Sequence, residues 1–204
     1  IKLYKQNLFK TILKEEGISV KKKNTKGNFW IGSNDKGINC WNKNANTITY
    51  FSNSENNPNS LSSNNIKAIE FDNSGNVLIG THNGGLNLLN PNTGFVQRFR
   101  HDENNPNTIA GDLVYSLLKD SKGRIWVGTR SGLDQFHPET KTFTHIHLDK
   151  AGKRPASDDI TFLFEDSKHR IWIGTTNGVT LFYPDNLLFG NIGHGKVSED
   201  IVNC

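Results

Sequence analysis

The 204-residue sequence contains no methionine and only two cysteines, and no apolar run approaches the ~20 residues of a membrane-spanning helix. Without methionine the chain does not read as an intact translation product; a processed form or an excised piece is expected. Cys40 and Cys204 are too few and too far apart in the repeat to make a disulfide framework or a thiolate metal site, and they leave the redox compartment open. Residues 1–20 scatter lysines through their apolar positions, so nothing in that stretch reads as a secretion signal. Charge of either sign is also scarce in concentrated form. The net charge is +4 with a sequence pI of about 9.0, mildly basic and without the focused stripe of a nucleic-acid binder. The one basic run, Lys21-Lys22-Lys23, reads as a solvated, poorly covered strand. At 34% hydrophobic and 22% charged residues, the composition is that of an ordinary globular protein, and no pattern asks for a cofactor or a metal.

What the sequence does contain is a short phrase repeated four times: Phe29-Trp30-Ile31-Gly32, Val77-Leu78-Ile79-Gly80, Ile125-Trp126-Val127-Gly128 and Ile171-Trp172-Ile173-Gly174. The closing glycines stand at 32, 80, 128 and 174, steps of 48, 48 and 46 residues. Around each phrase the order is apolar strand, Asp-x-x-Gly turn, phrase, Gly turn, second apolar strand, third turn, aromatic strand and polar loop. Four short strands joined by three turns make a β-meander. The phrase is apolar at consecutive positions where a half-exposed strand would alternate, so both faces of each meander need cover. Neighbouring repeats must supply it, and four-stranded units of this period stacked face to face are the blades of a β-propeller. The expected fold is therefore all-β: about four antiparallel four-stranded blades forming a partial arc of a seven-bladed propeller.

The boundaries follow from the period. Residues 1–17 form a lead-in or the outer strand of a preceding blade, with Leu8–Leu13 as the strand. Blades occupy 18–65, 66–111, 112–158 and 159–197, and 198–204 opens a fifth. The first inner strand is the most polar, and the fourth copy loses its outer-strand pattern within 186–195. Gly32, Gly80, Gly128 and Gly174 are read as close-packing positions, and Asp72, Asp120 and Asp166 as turn formers. Asn24 takes the corresponding place in the first copy, and His169 replaces the turn glycine in the fourth. Trp30, Trp126 and Trp172 recur at one place in the blade, which points to blade-to-blade packing in preference to sugar stacking.

These residues resemble the two-component regulator propeller repeat, over roughly residues 18–184. The elements that carry the likeness are the Asp-x-x-Gly turn, the [Ile/Phe]-Trp-[Ile/Val]-Gly core with its following Thr, the Gly-Leu pair and an Asn-Pro or His-Pro turn. The connectors Glu55-Asn56-Asn57-Pro58-Asn59-Ser60 and Glu103-Asn104-Asn105-Pro106-Asn107-Thr108 add to it. The resemblance implies the periplasmic sensor region of a Bacteroides-type hybrid two-component system. Such a region takes an oligosaccharide ligand, acts as a homodimer through the full-length sensor, and signals to a histidine kinase. Membrane attachment would come only through downstream segments, and no nucleic-acid partner or catalysis by this chain is implied.

In a four-stranded meander the second turn and the connector lie at the same end of the blade. That end carries the varied loops, where binding groups are expected. Arg130, Lys150, Lys153 and Arg154 could meet an anionic sugar there, Arg130 as a bidentate donor; the plainer reading is solvated surface charge. His82 and His101 are weaker candidates on the same rim. His145 and His147 share one side of a strand but lack a third metal ligand, and they read as an edge-strand surface pair. Two other functions stay open. A carbohydrate-active enzyme would need a convergent acid/base set from Asp102, Glu103, Asp158 and Asp159. An interaction scaffold would need a broad exposed apolar patch.

Overall fold

A computed structural model of the chain describes residues 17–146 and 155–191. Leu8–Leu13, Lys150, Lys153, Arg154, His147 and the opening of a fifth blade lie outside the described residues. Among the described residues every regular element is a strand. The first blade holds β1 (Ile18–Lys23), β2 (Phe29–Ser33), β3 (Ile38–Asn42) and β4 (Thr47–Phe51); the second β5 (Ile66–Phe71), β6 (Val77–Thr81), β7 (Leu86–Leu89) and β8 (Val96–Phe99). The third holds β9 (Val114–Lys119), β10 (Ile125–Thr129), β11 (Gly132–His137) and β12 (Thr142–Ile146); the fourth β13 (Ile160–Glu165), β14 (Ile171–Thr175), β15 (Gly178–Tyr183) and β16 (Leu188–Asn191). Each blade is an antiparallel sheet in chain order. The inner strands β1, β5, β9 and β13 pack in succession along one axis, giving a partial propeller arc.

The fourth copy departs from its expectation. The fourth blade keeps its outer strand: β16 pairs with β15, and Phe189, 2% exposed, packs into the core against Phe182. A single well-placed aromatic is enough, because the strand needs one buried side chain per two residues and its ladder partners are already in place.

Burial follows the phrase. All five residues of β6 and of β10 are buried, so these strands are covered on both faces. Trp30 packs with Ile66, Ile69, Val77, Ile79 and Leu89 of the second blade. Trp126 does the same with Ile160, Leu163, Ile171, Ile173 and Phe182 of the fourth, meeting Phe182 edge-on at 5.3 Å. Leu78 takes the place in the second blade and packs on the third. Each fully buried tryptophan contributes on the order of 2–3 kcal/mol through removal of apolar surface from water. The last blade has no described neighbour on its tryptophan face, and there Phe162 and Phe164 are 55% and 52% exposed.

The phrase glycines sit where the next blade's inner strand approaches. A Cβ on Gly32 would lie 2.6 Å from Ile66 Cγ2, on Gly80 2.6 Å from Val114 Cγ1, and on Gly128 2.7 Å from Ile160 Cγ2. The Asp-x-x-Gly turns have glycine at positive φ, as at Gly75 and Gly123, and His169 holds the same conformation at φ 60°. Its ring is used as well, Nδ1 lying 2.8 Å from Ser121 Oγ of the third blade. Along the axis, Lys22 departs from the solvated reading of the basic run, because its ammonium donates to the buried Glu70 carboxylate. Glu70 also accepts the backbone N–H groups of Phe71 and Lys119, so one carboxylate links three blades.

Gly128→Ala is expected to destabilise the chain by about 1–3 kcal/mol, since Ile160 cannot retreat from a packed core. Denaturant midpoints of the two forms measure this, and an unchanged midpoint would contradict the contact.

Candidate functional site

The connectors are held from two sides by residues of the blade they enter. From the third strand, Asn87 Oδ1 accepts the N–H of Ser62, Asp134 Oδ2 that of Ala110, and Thr180 Oγ1 that of Ala156, each at 2.8–2.9 Å. From the outer strand, Arg98 donates to the carbonyls of Asn57, Ser60 and Leu61 and to Ser60 Oγ. His145 stands at the register position of Arg98, and its Nδ1 lies 2.6 Å from Asp134 Oδ1, while Pro106 of the connector also accepts a bond from it. His145 is therefore no exposed edge-strand residue, and His147 lies outside the described residues. His145 is half-buried and pairs with the fully buried Asp134 carboxylate. The bond to Asp134 raises the imidazole above its ordinary value, although burial acts the other way.

With the connectors fixed, one end of the arc presents a row of second-turn residues in register. The backbone N–H groups of Asn34, His82, Arg130 and Thr176 donate to the carbonyls of Gly17, Asn65, Leu113 and Asp159. Each inner strand carries a register shift beside this row, where Ser19, Lys67, Tyr115 and Thr161 are left without a cross-strand partner. The end of the arc nearest the axis is thus lined by Asn, His, Arg and Thr in one tier and Ser, Lys, Tyr and Thr in the other. Arg130 is exposed, and Lys67 Nζ donates to Asn34 Oδ1 at 3.2 Å. His82 is half-buried, with Nδ1 buried and unpartnered among the described residues. His101 belongs elsewhere: its ring Nδ1 lies 2.8 Å from Ile109 O and its backbone N–H donates to Asp112 Oδ1, so it shapes the connector. Lys67 and Tyr115 escape a sequence reading because the bulge that frees them has no residue signature. Their sequence sign is a non-matching polar or large residue at one fixed position of each repeat.

At the opposite end, the wedge between the third and fourth blades is closed by ion pairs. Asp120 Oδ2 accepts Trp126 Nε1 at 2.9 Å and Arg124 Nε at 2.6 Å, and Arg124 continues to Pro184 O and Asp185 of the next blade. Asp166, Arg170 and Trp172 repeat the Asp–Arg–Trp part of this clamp. Burial by itself would raise the Asp166 carboxyl, but the bonds from Trp172 and Arg170 outweigh it and hold it below the ordinary carboxylate range.

Residues 60–83, 108–131 and 155–177 match a family model described as two component regulator propeller. The chain carries two component regulator propeller repeats. Each matched stretch runs from a connector through the inner strand and turn to the second turn, so the match covers the elements that hold the varied end in place. Among solved structures, the propeller repeats superpose on the extracellular domain of BT3049 from B. thetaiotaomicron, described as a hybrid two component system. The TM-score is 0.69 at 18% identity, over 85% of this chain and 23% of that one. The extracellular domain of BT4673 from the same organism gives 0.60 at 24% identity, over 80% and 21%. Virginiamycin B lyase from Staphylococcus aureus gives 0.62 at 13% identity, over 85% and 54%. At these identities the likeness shows the propeller fold, which hosts sensors and an enzyme alike. The chain spans about a quarter or less of the two sensor structures. No curated protein matches it.

Two groups of this scaffold give opposite pH dependence. The stability from His145 is complete below its unfolded value of 6.5 and lost as pH rises through the higher folded value. That from Asp166 is complete above its unfolded value of 3.8 and lost as pH falls through the lower folded one. Denaturant midpoints measured across pH should fall on both flanks, with His145→Asn flattening the alkaline flank and Asp166→Asn the acid flank. Unchanged flanks in the variants would contradict these assignments.

Proposed function

We propose that this arc is ligand-sensing propeller from the periplasmic input region of a hybrid two-component sensor. In this reading the arc recognises an oligosaccharide and passes the signal, through the full-length homodimer, to a histidine kinase elsewhere in the protein. The observation that carries the reading is the division of labour within the repeat. The phrase glycine and the inner-strand register shift recur at every blade, whereas the tier Asn34, His82, Arg130, Thr176 and the bulge residues beside it change from blade to blade. A surface whose chemistry varies on an invariant frame suits recognition of a many-featured ligand such as a glycan. Hydroxyl-rich ligands need mixed donors and acceptors at several points, and Asn, His, Arg, Lys and Tyr supply both. The likeness to extracellular domains of two-component systems supports the same reading. We further place the arc within a larger propeller, whose next blade would cover Phe162 and Phe164.

Calorimetric titration of the intact extracellular region with a panel of oligosaccharides tests the proposal. One class is expected to bind, and Arg130→Ala should weaken an acidic member of it by about tenfold, the loss of one charge-assisted pair. Turnover of any panel member, or no binding across the panel, would contradict it.

A further inference from the structure

The clamp that closes the wedge between the third and fourth blades is missing between the first and second. Asn24 stands where Asp120 does and Asn28 where Arg124 does, four residues apart in the same turn. Neither substitution is filled from elsewhere. Without the arginine stacked 5.6 Å over its tryptophan and reaching the neighbouring turn, the wedge stays open as a cavity of about 680 Å³. That is the size of sites that hold small organic ligands.

Its chemistry is unlike that of a packing defect. Trp30 lines the cavity; it is 1% exposed, and its indole N–H is buried with no partner among the described residues. In the third and fourth blades the equivalent N–H donates to an aspartate carboxylate. A buried donor left unmade costs about 1–3 kcal/mol, so an anionic oxygen arriving here has a group waiting for it. Lys26 and Lys119 also line the cavity, and no ion pair holds either of them among the described residues, while the two carboxylates of the lining are already engaged, Glu70 by Lys22 and Asp72 by the N–H groups of its own turn and Asn76. Asn73, Asn92, Thr47 and Thr49 add neutral donors and acceptors on the walls, and Phe51 and Phe71 form an apolar floor beside Trp30. Cys40 contributes only bulk, since burial pushes its thiol up to about 11 and it stays protonated at neutral pH.

We propose that this cleft binds an acidic saccharide of one or two rings. The sugar carboxylate would enter beside Asn24, in the room that the Arg124 side chain fills in the third blade, and reach for the Trp30 indole N–H. Lys26 and Lys119 would balance its charge, the asparagines and threonines would meet its hydroxyls, and the aromatic floor would take the C–H face of a ring. The cleft opens at the end of the arc opposite the row of Asn34, His82, Arg130 and Thr176, so it is a second site and stands independently of the one above.

The test is ¹⁵N NMR of the tryptophan indole N–H groups in the whole chain, titrated with digalacturonate, with maltose as the neutral arm and sodium sulfate at equal ionic strength as the inorganic arm. Digalacturonate should shift the Trp30 signal saturably and leave those of Trp126 and Trp172 in place, with at most a weak response to maltose and to sulfate. The double variant N24D/N28R restores the clamp from the chain's own third blade and should abolish the shift, and Lys26→Gln should weaken it severalfold. The proposal is overturned by an unmoved Trp30 signal, by an equal response to sulfate, or by a shift that survives the restored clamp. If the double variant fails to fold, an unaltered affinity in Lys26→Gln overturns it alone.

Discussion

Everything in this arc depends on sheets that are apolar on both faces lying against one another. A strand such as β10, buried at every position, cannot exist at the surface of a lone meander, and the contact that covers it is made between blades. The glycines of the repeated phrase set the spacing of that contact, because the first residue of the next inner strand sits within 2.7 Å of where their Cβ would be. The tryptophan then fills the wedge farther from the axis. Close approach at the glycine and bulk at the tryptophan together fix the angle between successive blades.

Polar groups are organised around this packing and fall into two kinds. Those that recur belong to the scaffold: the aspartate that takes the tryptophan N–H and the arginine, and the third-strand residue that takes a connector N–H. Those that do not recur stand where the scaffold leaves room, at the second turns and beside the inner-strand bulges. The first blade shows what happens when a scaffold pair is itself replaced. Asn24 and Asn28 cannot hold the tryptophan N–H or span to the next blade, and a polar cleft results.

The architecture was legible in the sequence because it rests on period and on runs of apolar residues, which a single chain displays. The four-stranded sheets and the packing role of Trp30, Trp126, Gly32, Gly80 and Gly128 could be read that way. What could not be read depends on pairing between residues far apart in sequence. The Lys22–Glu70 link between the first two blades, the His145–Asp134 pair and the outer strand around Phe189 arise only when blades or strands are brought side by side. Topology puts the second turns at one end of each blade, and Arg130 and His82 stand in that row, whereas His101 serves the connector and Lys67 and Tyr115 enter through a backbone irregularity. The open wedge was invisible because two asparagines in a polar turn look unremarkable until set beside the aspartate and arginine that replace them two blades later.

Native-state hydrogen exchange of the second-strand amides measures the sandwiching most directly. If coverage by neighbouring blades stabilises each sheet, the amides of β6 and β10 should be the slowest in the chain, and those of β14, whose tryptophan face has no described neighbour, should exchange markedly faster. Equal protection in β10 and β14 would show that each meander stands by itself, and blade-to-blade packing would then not be what holds the arc together.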